Sequence, residues 1–152
     1  MPAQYSIPGN QGTVSTSNKT ATLATSIAGL RPQLYGWGVS AFGAPNSTDC
    51  SMVWTLQITS AAGTTTAVTP TPIDPVYAAA STIGGSNATI EPTYTAGIVP
   101  WVMALNQRAS QLVWMPVNAP VVLVGTASHG AGMQVLSTNY ASQANCVLYV
   151  QE

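Results

Sequence analysis

Met52-Val53-Trp54-Thr55-Leu56-Gln57-Ile58-Thr59-Ser60 (MVWTLQITS) decides the fold class. Met52, Trp54, Leu56 and Ile58 alternate with Val53, Thr55, Gln57 and Thr59, so residues two apart share one face. The first set is wholly apolar and the second mostly polar or β-branched, which suits a half-buried strand. Ala61-Ala62-Gly63 then turns, and Thr64 to Val68 reads as the returning partner of a hairpin.

Upstream, Leu34 to Phe42 (LYGWGVSAF) repeats the period of two, with Tyr35, Trp37, Val39 and Ala41 on one face. Gly36 and Gly38 fall on the other, which predicts close approach by another backbone. Ala44 to Asp49 (APNSTD) is a loop by its turn chemistry. Thr20 to Ile27 is an earlier strand, and Arg31-Pro32 marks a turn. Residues 1–18 hold two prolines, two glycines and no sustained period, so they read as an extended N-terminal arm with Tyr5 and Ile7 as apolar handles. The start also lacks the positive and apolar regions of a secretory signal, so a chain used without export is expected.

Downstream, residues 69–87 (TPTPIDPVYAAASTIGGSN) carry three prolines and no clean period. They read as a compact Ω-loop or, over Val76 to Thr82, as a short helical turn. Strand-like stretches follow at Thr89–Tyr94, Ile98–Leu105, Gln111–Met115, Pro120–Thr126, Met133–Ser137 and Asn145–Val150. Breaks fall at residues 106–108, 117–119, 128–130 and 142–144. About eight good strands at this spacing predict an all-β, jelly-roll-like β-sandwich, with residues 19–152 as one domain. No tandem repeat points to a propeller or solenoid.

Charge is scarce. The 152 residues include only three Lys or Arg and four Asp or Glu, so charged residues are 5% of the chain and hydrophobic ones 46%. Scattered Lys19, Arg31 and Arg108 cannot build the cationic patch that displaces counterions from nucleic acid. A polybasic membrane anchor and a charge-rich helical bundle are excluded on the same count. No stretch approaches the apolar length of a spanning helix. A transmembrane barrel is disfavoured because the polar faces carry Thr, Ser and Gln without the mixed charges of a lumen.

Signs of catalysis are sparse. His129 is the single histidine. A triad needs it beside Cys50 or Cys146 and a carboxylate such as Asp49 or Asp74, and no spacing supports that assembly. One His and two Cys make no zinc pattern. Asp49, Asp74 and Glu91 have the chemistry for a calcium site or an acid/base pair, but structural roles are favoured. Cys50 and Cys146 either form one disulfide or stay reduced in the core; the phase of Cys146 with Leu148 and Val150 favours the second. No catalytic residue, cofactor or metal site is therefore expected. Trp37, Trp54, Trp101 and Trp114 default to core packing. Two coplanar aromatics open to solvent would instead favour a sugar-stacking platform. Asn106, Gln107 and Arg108 have the polar character of a ligand or interface loop.

Several stretches together resemble the small decoration proteins that cement the capsids of tailed bacteriophages. They are the opening MPAQYS with its Gly/Thr-rich continuation, WTLQITSAAGTTTAVTPTPIDP, SNATIEPTYTAG, LNQRASQLVWMPVNAPVVLVGT and the tail NCVLYVQE. The resemblance implies a non-enzymatic jelly-roll-like sandwich, commonly a homotrimer, seated on the major capsid protein at the virion exterior. From charge and apolar length alone, no nucleic-acid or membrane partner is expected. Tyr5, Ile7, Asn106, Gln107 and Arg108 are the candidate subunit or capsid contacts. The alternative is a carbohydrate- or receptor-binding jelly-roll module on the virion surface.

Overall fold

The computed structural model describes residues 2–115, 118–137 and 142–152, and all their regular structure is β. Eight strands carry the framework: β1 (Gln4–Val14), β2 (Lys19–Thr25), β3 (Gln33–Phe42), β4 (Ser51–Ala61), β9 (Trp101–Asn106), β10 (Ser110–Trp114), β12 (Gly130–Ser137) and β13 (Ser142–Gln151). Shorter or peripheral strands are β5 (Thr64–Val68), β6 (Thr71–Pro72), β7 (Ile83–Ile90), β8 (Thr93–Tyr94) and β11 (Val121–Val122). They form two antiparallel sheets. Sheet A runs β10-β3-β13-β1-β6 with β11 also on β3, and sheet B runs β5-β7-β2-β12-β4-β8 with β9 also on β4.

The wiring is nested. β1 pairs with β13, β2 with β12, β3 with β10 and β4 with β9. The first and third pairs belong to sheet A, the second and fourth to sheet B. Early strands thus pair with late ones within a two-sheet sandwich, and residues 62–100 lie between β4 and β9. That arrangement places both ends of the chain side by side in sheet A.

The inward faces make a continuous core. Ile7, Leu34, Leu56, Met133, Leu148 and Val150 are fully buried, and Trp37 and Trp54 nearly so. In β4 the alternation read from the sequence holds, with Met52, Trp54, Leu56 and Ile58 buried. Trp101 closes the side of the core, its ring meeting that of Trp37 edge-on at 5.6 Å and 62°. The sheets come so close near β1 and β2 that a Cβ at Gly9 would collide with the Thr22 hydroxyl. Thr22 Oγ1 donates across that gap to the Cys146 carbonyl at 3.3 Å. A glycine is required there.

Several expectations are corrected, beginning with the first strand and the face of Tyr35. Residues 4–14 are a strand and not a free arm: β1 pairs with β13 from Gln4 to Val14, and Tyr5 and Ile7 lie in the core. Tyr5 donates its hydroxyl to the Ala78 carbonyl at 3.0 Å. Past Ser6, β1 has only β13 beside it, so Pro8 stands on a sheet edge where its missing N–H costs nothing. The second correction is Tyr35. The register of β13 on β3 slips between Tyr149↔Gly36 and Val150↔Leu34, a β-bulge that leaves Tyr35 unopposed. Leu34 therefore enters the core with Trp37, while Tyr35 joins the outer face.

The proline-rich segment contains no helical turn; it supplies β6, a turn and the start of β7. Asp74 shapes that turn, accepting from the Val76 N–H at 3.0 Å. The stretch 120–126 yields only the two residues of β11, and 142–144 begins β13 where a break was expected. The Val117 end of the turn expected at 117–119 lies outside the described residues.

Candidate functional site

Charge placement defines the surfaces first. Arg31, Asp49, Asp74 and Arg108 sit in loops, while Lys19, Glu91 and Glu152 stand at strand ends. Two carboxylates act as latches. Glu91 accepts from the Thr20 N–H at 3.0 Å and from its hydroxyl at 2.5 Å, and that hydroxyl also meets Tyr94 Oη at 2.6 Å. Glu152 accepts from the N–H groups of Thr82 at 2.6 Å and Ser81 at 3.1 Å. Both latches tie the 62–100 insertion to the framework. Neither signalled itself in the sequence, because their partners are 70 or 71 residues distant.

The polar triplet at the end of β9 divides. Asn106 is exposed and its Oδ1 accepts from the Arg108 N–H at 2.9 Å, and Arg108 is exposed. Both remain available to a partner. Gln107 does not, because it is buried and structural. Its Oε1 accepts from the Asn46 N–H at 2.9 Å, and its Nε2 donates to the carbonyls of Asn46 and Thr48 at 3.3 and 3.2 Å. One side chain thus pins the 46–48 loop. Gln107→Ala is expected to lower stability by about 1–3 kcal/mol, since it strands a backbone N–H and two carbonyls. Urea melts of the variant and the parent read this directly.

Cys50, just before β4, and Cys146, in β13, are both free and buried, as the core reading expected. Burial pushes the Cys146 thiol from 9.0 up to about 12, although its hydrogen bond with Thr22 opposes the rise. Burial likewise drives the Tyr94 phenol far above its ordinary value; the Thr20 contact pulls it down and Glu91 pushes it up. The fold prefers the neutral form of both acids. Below the ordinary thiol value of 9.0 they are protonated folded or unfolded, and pH has no lever through them. Above it the unfolded chain releases protons first, so stability falls as pH climbs from 9.0 towards about 12. Thermal melts at about pH 10.5 should show a lower midpoint than at about pH 8.

His129 lies in the loop before β12, its Nδ1 3.3 Å from the Ala127 carbonyl. Among the described residues no group of three or more His, Cys, Asp or Glu is placed to hold a metal ion. No described helix is long and apolar enough to cross a membrane.

What remains exposed and organised is apolar. On sheet B, Val102 opposes Thr55 and Ala104 opposes Val53 on the outward side of β4 and β9. Val102 is 60% exposed, Ile98 47% and Val99 44%, so a strip from 98 to 104 faces solvent along the β9 margin. On sheet A, Trp114 is 54% exposed. It stacks on Tyr35 (5.6 Å, 21°) and tilts against Tyr149 (4.8 Å, 33°). Of the four tryptophans, Trp37 and Trp54 are core, Trp101 is partly buried against it, and Trp114 departs from the expectation of core packing. Its strand reads Leu112-Val113-Trp114, three apolar residues whose phase the sequence does not display.

Comparison with known proteins adds no relative: no protein-family model, no curated protein and no solved structure matches the chain.

Proposed function

We propose that the protein is a non-enzymatic structural component of a phage virion, a homotrimer that decorates the capsid exterior and stabilises it by bridging subunits of the major capsid protein. The observation that carries this reading is the exposed strip Ile98, Val99, Val102 and Ala104 on a sandwich whose sheet faces are almost free of charge. Apolar strips at a sheet margin are unfavourable in water and mark contact surfaces. Neutral neighbours such as Thr55 and Asn106 can be desolvated there without the cost of burying an ion. The nested pairing β1/β13, β2/β12, β3/β10 and β4/β9 supports a jelly-roll assignment, the fold that the resemblance to decoration proteins implies.

In this reading the candidate contacts move. Tyr5 and Ile7 serve the core of their own subunit, Gln107 serves its own loop, and Asn106 and Arg108 flank the β9 strip as its polar rim. Val102→Lys places a charge in the middle of the strip without touching the core. The variant should keep the parent's far-ultraviolet spectrum and melting point within a few degrees, while its mass by light scattering falls from that of a trimer to that of a monomer. Electron microscopy of particles from cells making the protein is the wider test. Sandwich-sized density on the capsid exterior is expected, and bare capsids with the protein left in the soluble fraction would refute the assignment.

The alternative reading, a saccharide- or receptor-binding module, is favoured by one observation, the half-exposed Trp114. The two readings are compatible, because the β9 strip and Trp114 belong to different sheets.

A further inference from the structure

The outer face of sheet A is built in rows by its register. Trp114, Gly36, Tyr149 and Ser6 form the first; Leu112, Gly38, Val147 and Pro8 the second; Ser110, Ser40, Asn145 and Asn10 the third. None of these side chains is charged. The first row ends in an aromatic surface, the second is an apolar trough, and the third offers hydroxyl and amide groups.

Three features make this a prepared site. The first is Gly36: a Cβ there would fall 2.6 Å from Trp114 Cε3 and 2.9 Å from Cζ3, so only bare backbone fits against that edge of the indole. The second is the bulge in β3, which turns Tyr35 outward to stack on that indole. Trp114 is thereby held by Gly36, by the stacked ring of Tyr35 and by the tilted ring of Tyr149, yet it stays 54% exposed. The third is a cavity of about 410 Å³ over the second and third rows, with Gly38 on its floor, Leu112, Val147 and Pro8 about it, and Ser40 and Asn145 offering polar groups. That volume falls within the range of small-molecule sites.

We propose that this face binds a neutral oligosaccharide, with one sugar ring lying on Trp114 and the next settling over Gly38. The C–H face of a pyranose is weakly electropositive and matches the negative face of an indole. Its hydroxyls need neutral donors and acceptors at the rim, which Ser40, Ser110 and Asn145 supply. An anionic or cationic ligand would be desolvated here without a countercharge. A two-fold contact between copies on this face would set hollow against hollow at Gly38 and leave the trough unfilled.

This inference is independent of the capsid reading and can fail without it. The test is a printed array of neutral and acidic glycans probed with labelled full-length protein, followed by tryptophan-fluorescence titration of each glycan bound. At least one neutral glycan should bind, and Trp114→Ala should weaken it by about tenfold or more. Leu112→Glu, which alters only an exposed wall of the trough, should do the same and covers the case in which Trp114→Ala fails to fold. The proposal is overturned if no glycan binds, if only acidic glycans bind, or if folded Trp114→Ala binds as the parent does. It is equally overturned if both substitutions lower the light-scattering mass without any glycan binding, which would make the face a subunit contact.

Discussion

Deleting residues 1–18 should abolish folding. The truncation removes β1, and with it the buried side chains of Tyr5, Ile7, Gln11 and Val14. It strips β13 of one of its two partners along nearly its whole length, leaving only β3 beside it. Burial of the three apolar side chains contributes roughly 2–3 kcal/mol each. The lost ladder adds about 0.5–1.5 kcal/mol per hydrogen bond. Together these losses are comparable with the whole stability of an ordinary domain, about 5–15 kcal/mol. The expected result is insoluble protein, or soluble protein with no cooperative thermal transition. A truncated chain that melts like the parent would mean that residues 1–18 are an appendage after all, and the pairing of β1 with β13 would be wrong.

Trp37→Ala should damage the fold more than Gln107→Ala, Val102→Lys or Trp114→Ala, at about 3–5 kcal/mol. Trp37 is 1% exposed and packs between the sheets, where its ring meets Trp101. Alanine leaves a cavity whose walls are strands fixed by pairing on both sides, β13 and β10, and such walls relax little. Its Nε1 has no hydrogen-bond partner, so Trp37→Phe sacrifices volume but no hydrogen bond and should cost markedly less. Trp114→Ala, half exposed in the same sheet, should also cost less. Denaturant midpoints for the three tryptophan variants give the order. If Trp114→Ala proves the more harmful, the assignment of inner and outer faces in sheet A is reversed.

The legible parts of the fold were those in which alternation is unbroken. β4 reads correctly from Met52 to Ile58 because large apolar residues recur at every second position. The end of β13 is legible in the same way through Cys146, Leu148 and Val150. The first strand was hidden by Pro8 and Gly9, which lower strand propensity for reasons specific to their places. Pro8 occupies an open edge, and Gly9 lies where the opposite sheet crowds in. Local composition contains neither fact. Tyr35 was misplaced for a related reason: a bulge adds one residue without altering the residue types around it, so every face assignment before it flips.

The candidate site was less legible than the fold. Asn106, Gln107 and Arg108 look alike as a polar turn, and only the position of the 46–48 loop separates the buried glutamine from its exposed neighbours. Trp114 lay within a uniformly apolar stretch where either phase was open. The β9 strip was concealed for the opposite reason, since Trp101, Met103 and Leu105 face inward while Val102 and Ala104, equally apolar, face out. Scarcity of charge was visible in the composition alone. The structure adds where the few charges went: to loops and strand ends, leaving the sheet faces neutral.

Light scattering coupled to size exclusion, at micromolar protein, is the most direct test of the proposal that this sandwich is built to assemble. The mass should be three times the 15.6 kDa of one chain. A mass of one chain at that concentration would contradict the account.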